Sequence, residues 1–74
     1  MSVDNTVLRW NFTMAMMKEA NATYHNLTNK EKVDLLLEQF EAVETAAEKK
    51  NIAQMKRELI TLAAKCFVVW RGLR

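Results

Sequence analysis

Residues 51–72 read NIAQMKRELITLAAKCFVVWRG, and this stretch decides the fold. Asn51 followed three residues later by Gln54 has the spacing of a capping box, so a helix opens at about Ile52. Ile52, Met55, Leu59, Leu62, Cys66 and Val69 recur at helical spacing and form its expected core stripe. Ile60, Ala63, Ala64, Phe67, Val68 and Trp70 are apolar too, and at about 100° per residue they point in other directions. From Leu59 to Trp70 only Thr61 and Lys65 are polar. A helix apolar nearly all round must be covered nearly all round. The spacing predicts helix three over about 52–71, with Gly72 as terminator.

Upstream, Thr28-Asn29-Lys30-Glu31 carries a capping box that opens helix two, predicted over about 29–49. Val33, Leu36, Leu37, Phe40, Val43 and Ala47 share one face of it. Lys49-Lys50-Asn51 suits its end, because two cations complement the helix dipole and Asn tolerates a left-handed turn. So short a connection makes helices two and three an antiparallel hairpin. Helix one is predicted over about 5–22. Asp4, Asn5 and Thr6 offer caps, and Val7, Trp10, Met14 and Met17 form a stripe that Leu8, Phe12 and Met16 broaden. Residues 21–29 are rich in Asn and Thr, as turns are.

Composition agrees with an all-α unit. The 74 residues include no proline and one glycine, which argues against an all-β design. One cysteine and one histidine exclude an internal disulfide and an ordinary Cys/His zinc site. Eleven basic against nine acidic residues give a formal charge of +2, too mild to dictate a nucleic-acid partner. No signal peptide or membrane span is read, so the expected compartment is cytoplasmic and no membrane partner is expected. Residues 1–74 form a single helical domain. A chain this short has little core of its own, and its apolar residues exceed what three helices hide. A helical-bundle oligomer is therefore expected, with Trp10, Met14, Met17, Phe67, Val68 and Trp70 as interface residues. Trp10 and Trp70 read either as core anchors or as interface hot spots. Cys66 reads as a small buried hydrophobe and His25 as a surface residue of the first connection.

Glu31, Asp34, Glu38, Glu41, Glu44 and Glu48 run along one side of helix two. A solvated face is the plain reading of such a band. Glu41, Glu44 and, on helix three, Glu58 border the apolar stripes, so facing carboxylates could meet on a hard divalent cation. Glu41-x-x-Glu44 and Glu58-x-x-Thr61, within LLLEQFE (35–41) and MKRELITLAA (55–64), resemble the metal motif of the MazG-like all-α nucleoside triphosphate pyrophosphohydrolases. The resemblance spans about Leu27 to Leu73. It implies that Glu41, Glu44 and Glu58 bind Mg2+ and that Glu38 assists or positions water for cleavage between the α and β phosphates of a nucleotide. Three departures accompany it: Thr61 replaces the family's closing aspartate, Gln39 stands where paired acids are usual, and Lys65 shares an edge with Glu58, where it could neutralise carboxylates.

Two functional expectations result. The first is a non-enzymatic helical interaction protein, without cofactor, that binds itself and modulates another protein; its size and the resemblance suit a phage or mobile-element inhibitor of a host protein. The second is a minimal Mg2+-dependent nucleotide pyrophosphohydrolase with its site assembled across an oligomer.

Overall fold

The computed structural model describes residues 5–22 and 24–73 and is all-helical, with α1 at Asn5–Ala20, α2 at Asn29–Glu48 and α3 at Ile52–Gly72. Met1 and Asp4, the latter a proposed cap of α1, lie outside the described residues. The helix bounds fall within two residues of those read from the sequence. Thr28 caps α2 as expected: its Oγ1 accepts from the Glu31 amide at 3.1 Å, and the Glu31 carboxylate accepts from the Thr28 amide at 3.0 Å. The Thr28 backbone amide first, and then its side chain, hold the Glu31 carboxyl below the usual range.

The α2–α3 turn is tighter than its sequence suggests. The Asn51 amide donates to the Ala46 carbonyl and the Lys50 amide to the Ala47 carbonyl, both at 3.0 Å. This is a Schellman closure of α2. The residue in the left-handed region is Lys50, at φ 56°, and not Asn51 as the sequence suggested. Asn51 is needed elsewhere: its backbone is extended, and its Oδ1 accepts from the Gln54 amide at 3.0 Å to cap α3. One asparagine both completes the end of α2 and starts α3. Gly72 is also not a left-handed terminator, since it is the last helical residue and its φ is not positive.

The helices form a single layer in the order α1–α3–α2. Both outer helices pack on α3 and not on each other. Val7 and Leu8 share a cavity with Lys56 and Ile60, and Ala20 shares another with Val68 and Gly72, so α1 runs parallel to α3. Hydrogen bonds from Lys32 to Gly72 and from Gln39 to Glu58 set α2 antiparallel to α3. The molecule measures 41 × 28 × 14 Å, and the short axis is about the thickness of one helix with its side chains. Where the outer helices meet α3, Ala46, Ala64, Val43 and Val69 are buried, and small residues at the contact allow close helix approach.

That arrangement inverts three expectations from periodicity. On α1, Leu8 and Phe12 line the contact with α3 and Val7 flanks it, while Trp10, Met14 and Met17 lie on the far edge of the layer. On α2, Lys32, Gln39, Val43 and Ala46 are buried, while Val33, Leu37 and Phe40 are about half exposed. On α3, Val69 of the expected stripe is buried, but Ile52, Leu59 and Cys66 are exposed. The reason is geometric. A helix in the middle of a layer has neighbours on two opposite sides, so the stripe at right angles to both stays uncovered.

Candidate functional site

The acidic residues of α2 and Glu58 do not assemble into one cluster. Glu58 faces α2, but the side chain it meets is Gln39, whose Nε2 donates to the Glu58 carboxylate at 2.6 Å and to the Glu58 carbonyl at 3.2 Å. The Lys65 ammonium donates to the Gln39 carbonyl oxygen at 3.0 Å. Gln39 is buried, and this Lys65–Gln39–Glu58 chain satisfies both ends of its amide. Lys65 therefore does address Glu58, as its shared edge suggested, but through an intervening amide.

Glu38, Glu41 and Glu44 are exposed. Gln39, Val43 and Ala46 turn towards α3, so helical spacing carries Glu41 around to the side away from it, with Glu38 and Glu44 on opposite flanks. Among the described residues, no three His, Cys, Asp or Glu side chains come close enough to hold a metal ion. The donor set implied by the resemblance, Glu41 with Glu44 and Glu58, is not brought together within one chain, and Thr61 turns its hydroxyl back to the Arg57 carbonyl at 3.1 Å.

What the structure does assemble is apolar surface. The first part is the α1 edge of Trp10, Met14 and Met17, with Trp10 64% exposed. The second is a face of the layer. On α3, Ile52, Leu59, Cys66, Trp70 and Leu73 follow one exposed line down the helix, with Leu59 also lining the cavity beside Leu8 of α1, and Trp70 is 70% exposed. Because α2 runs antiparallel, right-handed helix geometry turns its Val33 and Phe40 to the same side of the layer. The opposite side carries Gln54, Arg57 and Thr61 of α3 and Glu31 and Glu38 of α2. The layer is amphipathic as a whole.

Phe67 lies between Trp70, at 5.9 Å between ring centroids, and Arg71, whose guanidinium carbon is 5.8 Å from the Phe67 ring. This i, i+3 and i, i+4 cluster holds two aromatic rings in place on the helix surface. Val68 is half-buried beside α1, so of the six expected interface residues it is the least accessible. Cys66 is exposed, contrary to the buried role expected of it.

Two buried polar residues went unrecognised in the sequence. Lys32 is 1% exposed, and its ammonium donates to the Gly72 carbonyl at 2.7 Å, placing a cation on the negative end of α3. Glu19 is buried and accepts from the Tyr24 hydroxyl at 2.6 Å, which ties the first connection to the end of α1. The available signal was the seven-residue spacing of Lys32, Gln39 and Ala46, which marks one line along α2. No protein-family model, curated protein or solved structure matches the chain.

Proposed function

We propose that this protein is a non-enzymatic helical interaction module that binds and modulates another protein. A single observation carries the reading: three helices form one amphipathic layer whose apolar face and α1 edge are both open. Domains ordinarily close their core with two packed layers, and large open apolar patches on small proteins mark binding surfaces. The α1 edge suits a heterologous partner. Trp10 is a rigid anchor of the type enriched at binding hot spots, and Met14 and Met17 adapt to irregular partner surfaces.

The test is affinity capture with wild-type protein and with a Trp10→Ser, Met14→Ser double variant. The expected result is a defined partner retained by the wild type and lost with the edge. Mg2+-dependent pyrophosphate release from a nucleotide, abolished by Glu58→Gln, would overturn the reading in favour of the enzyme. The engagement of Glu58 by Gln39 supports the interaction reading over that outcome.

A further inference from the structure

The amount of open surface bears on what covers the apolar face. The chain exposes 5840 Å². A compact monomer of 8.6 kDa should expose about 4,700 Å² by the scaling of surface with mass. The excess, about 1,100 Å² over the whole chain with the apolar face and the α1 edge together, is comparable with the ~800 Å² that each partner contributes to a standard stable interface. The face measures 41 × 28 Å, so it has room for a contact of that size. Its midline is α3, with Ile52, Leu59, Cys66 and Trp70 at its centre and Phe40 beside them. No charged side chain of α3 lies on that line between Ile52 and Trp70. The acidic residues of α2 other than Glu44 lie on its outer edge and on the opposite side of the layer, where they would remain in water, and Glu44 flanks the face beside Phe40.

We infer that this face is covered by a second copy of the same chain, giving a two-layer, six-helix dimer with α3 stacked on α3. A second copy matches the face in size and polarity and supplies the missing layer of an ordinary domain. A two-fold axis through the centre of the face places the middle helix of each copy on the other. The α1 edges stay at the periphery, free for the heterologous partner. The inference rests on the interaction reading above, but the two fail separately.

The experiment is sedimentation equilibrium of the purified full chain over a wide concentration range, with Leu59→Lys, Trp70→Lys and Trp10→Ser alongside. The expected result is a mass of twice 8.6 kDa for the wild type and Trp10→Ser. The two lysine variants should be monomers that retain helical circular dichroism. Should the lysine variants unfold, alkylation of Cys66 in the wild type decides: its rate should fall at least ~10-fold where the protein is dimeric, as burial requires. A wild-type monomer at all concentrations overturns the dimer, whatever the partner capture shows. A dimer broken by Trp10→Ser, or one that leaves Cys66 freely reactive, overturns the choice of face. Capture of the monomer by lipid vesicles would likewise replace the second copy with a membrane surface.

Discussion

The Lys32 ammonium donates to the Gly72 carbonyl at 2.7 Å, forty residues away in sequence, and closes the open end of the α2–α3 hairpin. The other end is closed covalently by the turn at Lys49–Asn51. Between them, Gln39 bridges to Glu58 and Lys65. The hairpin is thus pinned at both ends and at its middle, and buried polar groups make those two non-covalent ties. Such ties penalise register slips, because displacing one leaves buried polar atoms unpaired.

Lys32→Met keeps the aliphatic stem and removes the ammonium. It should destabilise the fold by about 1.5–3 kcal/mol, the usual cost of losing a hydrogen bond to a charged group. Urea unfolding measures it, and the loss should be accompanied by faster amide exchange at the end of α3. An unchanged midpoint would show that the buried cation contributes nothing net.

Lys50 holds a left-handed conformation that side chains with a β-carbon adopt at a cost of about 1 kcal/mol. Lys50→Gly removes that cost at the position where helix ends favour glycine. The expected outcome is a gain of about 0.5–1 kcal/mol by chemical denaturation, whereas Asn51→Gly should lose stability because it removes the α3 cap.

Tyr24, the sole tyrosine, has its hydroxyl pushed well above the ordinary 10.0, first by burial and then by its bond to the Glu19 carboxylate. The folded state therefore holds the phenolic proton more tightly than the unfolded chain. Its contribution to stability is complete below pH 10 and declines as pH rises above it. Absorbance at the phenolate band should show no Tyr24 ionisation at pH 10 in the folded protein, with ionisation at higher pH coinciding with loss of helix. Glu19→Gln should shift that onset downwards.

The Glu31 carboxyl is held low by the Thr28 backbone and side chain, so its contribution has the opposite sign. It is present above the ordinary value of 4.5 and is lost as pH falls through the depressed folded value. Proton resonances of the first turn of α2 should shift together in that acidic range. Thr28→Ala should raise the Glu31 titration only in part, because the backbone amide at position 28 still donates to the carboxylate, and should cost about 1 kcal/mol through the lost cap.

Magnesium at about 10 mM, compared with a monovalent salt of equal ionic strength, should leave the thermal midpoint unchanged, because any site binding the folded state would raise it. A Mg2+-specific rise that disappears in Glu58→Gln would contradict the geometry of the Gln39–Glu58 bond.

The sequence by itself determined the helices and their ends. Capping side chains, turn residues and the lack of proline act within a few residues, so Thr28 with Glu31 and Asn51 with Gln54 were legible from spacing alone. It also determined that the apolar residues outnumber the places to hide them. Only the tertiary structure decided which of them are hidden. Periodicity finds the apolar side of a helix but does not say where its neighbours stand. With α3 in the middle of a single layer, the stripes through Trp10, Phe40 and Leu59 face outwards, while Lys32 and Gln39 are buried. The same placement turned Glu41 away from Glu58, because the two sides of α2 are separated by its own width.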